Sequence, residues 1–158
     1  MTSSISARLA SLGLNLEPAA PAAANYLPYV LEGQLLHISG QISRVGGSPA
    51  YRGRLGADLS EEDGIAAARS AALGVLAQIA AATGDRLERV ARIVRLRVYV
   101  ASAPDFQRQG VVANGASDLM VQVFGEAGRH ARSAVGVAAL PSGVAVEVEA
   151  LVSLVSLA

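Results

Sequence analysis

Glu147 and Glu149 lie two residues apart in one apolar run, and Arg95 and Arg97 lie two apart in an earlier one. Residues two apart share a face of a strand, so each pair projects to one side of a sheet. Two strand glutamates facing two strand arginines form an ion-pair network, in which Glu149 pairs with Arg95 or Arg97. All thirteen basic side chains of the 158-residue chain are Arg and none is Lys. Any carboxylate-binding cation is therefore a planar fork that can engage both oxygens at once. The chain has no Cys, which excludes a thiol nucleophile, a disulfide and a thiolate metal site. His37 and His130 are far apart and no HExxH pattern occurs, so no metal site is expected and no cofactor is implied.

Several elements must position these groups. Ser3 or Ser4 caps a short helix carrying Ile5, Leu9 and Leu12 at helical spacing, and Gly13 ends it. Residues 1–17 form this N-terminal helical extension, and the prolines at 18 and 21 hold an extended connector after it. Residues 34–42, QLLHISGQI, read as a strand with Leu36, Ile38 and Ile42 on one face and His37, Ser39 and Gln41 on the other. The Gly-rich stretch 44–56 reads as loop with at most an edge strand. Residues 60–83 form the clearest helix: Ser60 is the N-cap, Glu61, Glu62 and Asp63 fill the first turn, and Gly84 follows the last. Residues 90–101 alternate, with Val94, Leu96, Val98 and Val100 on one face and Ile93, Arg95, Arg97 and Tyr99 on the other. A second helix is expected over 105–127, where Asn114 and Ser117 read as capping residues first and as pocket-lining residues second. Strands over 133–140 and 144–155, joined by a turn at 141–143, close the chain. The pattern is α+β, a mixed sheet with two helices on one face, in one domain spanning residues 1–158.

Composition narrows the function. Only 16% of residues are charged against 52% apolar, while typical soluble domains carry about 25% charged residues. So little surface built for water points to an oligomer. The uncovered sheet face mixes His37, Ser39, Arg95, Arg97, Glu147 and Glu149 with Ile93, Tyr99 and Leu151, a combination suited to burial against copies of itself. Clefts between subunits are then natural places for a small ligand. The net charge is zero and the aromatics are four Tyr and two Phe, which argues against nucleic acid as a partner. No secretory leader and no long uninterrupted apolar stretch is evident, so no membrane partner is expected and the cytoplasm is the expected location.

Two separated blocks resemble a known family. ARSAVGVAALPSGVAVEVEALV, from Ala131, and ISGQI at 38–42, preceded by ANY ending at Tyr26, are similar to the signature blocks of the reactive intermediate deaminase (Rid, or YjgF-like) family. The intervening element order agrees, and the resemblance spans residues 24–153 as a divergent sub-branch. It implies a chorismate-mutase-like fold and a homotrimer with clefts between subunits. It also implies cofactor-free hydrolysis of small 2-imino acids, or their enamine tautomers, to 2-keto acids and ammonia. By the same resemblance the substrate-carboxylate arginine is Arg132, the glutamate that holds the water is Glu147, and Tyr26 and Ser39 flank and hydrogen-bond the substrate. His130, two residues before Arg132, could reach the same cleft. Many members have Cys and Glu where this chain has Ala134 and Gly136, which implies a smaller, less polar pocket floor. The alternative function is a non-catalytic trimer that binds a small carboxylate metabolite.

Overall fold

The computed structural model describes residues 3–156. The alternating runs become β2 (Leu35–Ile42), β5 (Val90–Ala101), β6 (Ala131–Val137) and β7 (Val146–Leu154), joined by a further strand β1 (Tyr29–Glu32), with β3 (Arg44–Val45) and β4 (Ser48–Pro49) as a separate small hairpin. The five long-range partners hydrogen-bond in the order β1-β2-β7-β5-β6. Only β5 and β6 run parallel; the other neighbours are antiparallel. The parallel pair requires a crossover, and the second long helix supplies it.

Helices cover one face, as the patterning implies. Helix α2 (Glu61–Thr83) starts at Ser60, whose hydroxyl accepts from the Asp63 N–H while Asp63 reaches back to the Ser60 N–H. That reciprocal cap satisfies two of the donors a helix start leaves open, and Gly84 closes the other end at φ 65°. Helix α2 lies over β2 and β7, and α3 (Gln109–Phe124) lies over β5 and β6. The two helices approach closely because Gly115 has no Cβ; one added there would sit 2.1 Å from the Ile65 carbonyl oxygen. By length and composition α2 could cross a membrane, but half of that stretch is buried within the fold. Helix α1 (Ile5–Ser11) is capped by Ser4 and buries Ile5 and Leu9 completely. Arg8 ties it to α3 through two hydrogen bonds to the Gln122 carbonyl, at 3.1 and 2.8 Å.

The structure differs from the sequence reading at specific points. β1 was not expected: three of its four residues are exposed, so it carries no burial alternation and exists only by pairing with β2. Helix α3 begins at Gln109 rather than 105, because the Phe106 N–H closes a turn on the Ala103 carbonyl at 3.0 Å. β6 covers Ala131–Val137 rather than 133–140, since its partner β5 ends at Ala101, opposite Val137. β7 begins at Val146 rather than 144, because Val144 and Ala145 pair instead with Arg52 and Tyr51.

Two bulges reverse side-chain directions. Between Ile38 and Gln41 the register of β2 on β7 shifts, which turns Gln41 inward to 8% exposure and leaves Ile42 half-buried. Between Ile93 and Arg95 the register of β5 on β7 shifts, so Ile93 is fully buried with Leu96, Val98 and Val100 while Val94 is the displaced residue. One extra residue in a strand exchanges its faces.

Candidate functional site

Arg132 opens outward from the edge strand β6. In the register it stands opposite Leu96, a fully buried core residue, so Arg132 is on the helix-covered side of the sheet. Helix α3 holds its guanidinium. Nη1 donates to Asn114 Oδ1 at 2.9 Å and to Ser117 Oγ at 3.1 Å, and Nη2 donates to the Gly110 carbonyl at 3.2 Å. Three of its five N–H groups are thus used by neutral acceptors. The Nε–H and one Nη2–H have no acceptor among the described residues.

His130 sits beside it, half-buried. Its Nδ1 donates to the Gly128 carbonyl at 2.7 Å, and its Nε2 meets Ser117 Oγ at 2.9 Å. Burial pushes its pKa below the ordinary histidine value, against the bond to Gly128 and with help from the Arg132 charge. Both ring nitrogens are engaged within the chain. Ser117, Asp118, Val121, Arg129, His130 and Arg132 border one hollow of about 260 Å³.

Glu147 lies on the opposite side of the sheet, opposite Tyr99 on β5 and Ile42 on β2. Its carboxylate folds over Gly40, where an added Cβ would sit 2.0 Å from Oε1. Burial raises its pKa above the ordinary carboxylate range, and the neighbouring Glu149 charge adds to the shift. Glu149 takes the available cation: Arg97 Nη1 reaches its Oε1 at 2.9 Å. Tyr26, 48% exposed, accepts at its hydroxyl from the Ala23 N–H at 3.3 Å. Tyr26, Gly40, Ser142 and Glu147 line one hollow of about 330 Å³, walled by Ala20 and Pro21 of the connector. Ser39 borders a separate hollow with His37, Arg95, Arg97 and Glu149, and its hydroxyl donates to the Leu27 carbonyl at 2.7 Å.

The candidate residues therefore fall into groups. Tyr26 and Glu147 meet, Arg132 and His130 meet, and Ser39 stands next to the first group. Arg132 and Glu147 are two strands apart and three residues out of register, about 14 Å at ~4.8 Å per strand and ~3.3 Å per residue, and they face opposite ways.

Asn114, Ser117 and Gly40 are the residues sequence reasoning undervalued. Asn114 and Ser117 do not cap α3, which starts five residues earlier; they are i, i+3 neighbours on one helix face and clamp Arg132. Gly40 follows Ser39 at the bulge, where a strand glycine signals a close approach. The floor near Gly136 is also not simply less polar. A Cβ on Gly136 would lie 2.7 Å from Ser102 Oγ and 2.8 Å from Gln109 Nε2, so those two polar side chains occupy the space. Ala134 packs half-buried on the core.

The model of the family described as "YjgF/chorismate mutase-like, putative endoribonuclease" matches residues 6–153. The chain belongs to the YjgF family. It is similar to the protein TCP17 of Trypanosoma cruzi, with 54% identity over 151 residues, 95% of this chain and 94% of that protein. Among solved structures, a candidate endoribonuclease from Shewanella oneidensis is 36% identical with a TM-score of 0.91, covering 96% of this chain and all 100% of that one. The Escherichia coli protein TdcF, solved with bound serine, is 25% identical with a TM-score of 0.60, covering 87% of this chain and 94% of TdcF. The YjgF-like, chorismate-mutase-like α+β fold implied by the two sequence blocks is thus present.

Proposed function

We propose that this YjgF-family protein hydrolyses small 2-imino acids, or their enamine tautomers, in clefts between the subunits of a homotrimer. The observation that carries the reading is Arg132: a guanidinium fixed by three neutral contacts with two N–H groups left for the oxygens of a carboxylate. Because Glu147 faces the other side of the sheet, a complete cleft combines Arg132 of one copy with the partner subunit's Glu147. Tyr26 lies beside that glutamate and would flank the substrate chain; Ser39 is the adjacent hydroxyl. TdcF, solved with bound serine, gives a precedent in the family for a small carboxylate ligand.

The reaction needs no cofactor in this reading. Water held by Glu147 adds to C2 of the imine, the carboxylate takes a water proton, and a carbinolamine forms. With the imine protonated on nitrogen, the proton held by Glu147 passes to the carbinolamine nitrogen. The C–N bond then breaks with its electron pair going to ammonia, and the hydroxyl proton returns to the Glu147 carboxylate as C2 becomes the carbonyl of the 2-keto acid. A carboxylate whose pKa is raised toward neutrality suits these proton transfers, and holding substrate and water together supplies much of the acceleration. Such imines arise from pyridoxal-phosphate enzymes, and the cytoplasm is the expected location.

The test generates 2-iminobutanoate in situ and follows its disappearance. The wild type accelerates the loss over buffer, and Arg132→Ala abolishes the acceleration, a drop of about 100-fold for a lost bidentate charge-assisted pair. An unchanged rate over buffer for a panel of imino acids removes the reading. A second reading, a non-catalytic carboxylate-binding trimer, is favoured by Ala134 and Gly136, neither of which brings an ionisable group to the floor. It predicts thermal stabilisation by pyruvate without turnover.

A further inference from the structure

We infer that His130, acting through the Ser117 hydroxyl, is a positioning residue that fixes Arg132 in its carboxylate-binding orientation and loosens it on protonation. The inference rests on the reading of Arg132 as the carboxylate-binding group. Each link of the chain has only one possible direction. The Gly128 carbonyl can only accept, so Nδ1, 2.7 Å away, carries the ring proton. In the neutral ring Nε2 then has only a lone pair, and the Ser117 hydroxyl donates to it across 2.9 Å. That donation leaves the oxygen lone pairs of Ser117 for Arg132, whose Nη1 donates at 3.1 Å.

Protonating His130 reverses the middle link. Nε2 becomes a donor, the hydroxyl loses its acceptor, and two cations converge on one oxygen. The other charged side chains around the ring's hollow are Asp118 on α3, Arg129 on its own segment, tied to Glu126 at 3.1 Å, and Arg132 itself on β6, while Arg95 of the adjoining strand β5 projects to the opposite face of the sheet. Asp118 is exposed and its pull is screened. Half-burial of the ring keeps the neutral form favoured at physiological pH. Two effects on a bound carboxylate then oppose each other. An added charge ~7 Å away in a water-like dielectric strengthens binding about threefold. Loss of the fixed fork weakens it by about tenfold or more, so orientation wins and affinity falls as the ring protonates.

Pyruvate, ionised throughout, is the probe, titrated calorimetrically into the intact protein from about pH 8 to about pH 5.5, a span that brackets the ordinary histidine value. The wild-type Kd is expected to rise about threefold or more toward the acid end, the net of the two opposing effects. His130→Gln, which cannot titrate there, loses that rise, and Ser117→Ala loses it with weaker binding at the alkaline end. A flat wild-type profile, or the wild-type slope retained in His130→Gln, overturns the role of His130 while Arg132 keeps its own. Arg132→Ala separates the two readings: wild-type affinity in that variant, or no pyruvate binding by the wild type, overturns the carboxylate role and the inference with it. A ligand-free check is the ring tautomer from long-range proton–nitrogen NMR. The expected form carries its proton on Nδ1; a proton on Nε2 breaks the chain whether or not pyruvate binds.

Discussion

Arg132 and Glu147 stand on opposite faces of the same sheet, one on its edge strand and one on its central strand, and are prepared in opposite ways. Arg132 lies at the sheet edge on the helix side, where Asn114, Ser117 and Gly110 accept from the guanidinium without neutralising it. Glu147 lies on the open face, on a strand with neighbours on both sides, and its carboxylate is half-buried over Gly40 with no ion-pair partner among the described residues. The first is a preorganised cation with two donors left over. The second is a desolvated carboxylate, biased toward its protonated form. Charge held by neutral contacts is ready to bind an anion; a carboxylate stripped of water and partners is ready to exchange a proton. Within one chain neither completes the other.

The contrast can be broken most severely at Glu147. Glu147→Gln is expected to lower imine hydrolysis by about 100-fold or more, the usual range for a lost acid–base group, measured by the in situ assay. Its effect on stability has the opposite sign. A carboxylate whose folded pKa is raised adds stability below its ordinary value, and that contribution is lost as pH rises through the folded pKa. Above its ordinary value the raised pKa is therefore a cost to the folded wild type, and Glu147→Gln removes that cost and raises Tm near pH 7, with the gain vanishing at about pH 4. A lower Tm for the variant in the assembled protein would instead mean that the glutamate meets a cation of the partner subunit.

A smaller effect separates position from chemistry. Gly40→Ala leaves the carboxylate in place chemically but puts a methyl 2.0 Å from Oε1. The far end of a flexible side chain can swing away, so the fold is expected to lose less than about 1 kcal/mol. Activity should fall further, by tens of fold up to about 100-fold, because ~1 Å of misplacement has that effect on a reacting group. Comparing denaturant midpoints with imine turnover checks both halves, and equal losses in the two would remove Gly40 from the site. The smallest effect is expected at the ion pair beside it. With Arg97 and Glu149 side chains 46% and 33% exposed, Arg97→Ala costs at most about 1 kcal/mol if the open face stays in water. A loss of about 3 kcal/mol would show that the face is buried in solution.

The legible parts of this protein were those fixed by neighbours in sequence. Ser60, Asp63 and Gly84 delimit α2 through contacts within four residues of chain, and the alternation of Leu96, Val98 and Val100 marks a strand face without knowledge of its partners. The pairing of Glu149 with either Arg95 or Arg97 follows from two runs of period two, and the register of β5 on β7 selects Arg97. Ile93 and Gln41 were misplaced because each bulge is a property of two strands in register, and a single strand's pattern does not record where its partner slips. β1 left no pattern at all, since an exposed edge strand is selected by hydrogen bonding to β2 rather than by burial.

The sequence by itself determined the element types, the Arg-only cation chemistry, the absence of thiols and the two blocks that carry family membership. Tertiary structure decided which groups meet. Asn114 and Ser117 read locally as capping residues; only the parallel crossover that lays α3 over β6 turns them toward Arg132, from 18 and 15 residues away in the chain. It also decided that Arg132 and Glu147 face opposite sides of one sheet, because strand order and register, not spacing along the chain, set which side a residue occupies. That is why the sequence could point to an oligomer with clefts between copies, while the opposite facing of Arg132 and Glu147 within one chain became visible only in the fold.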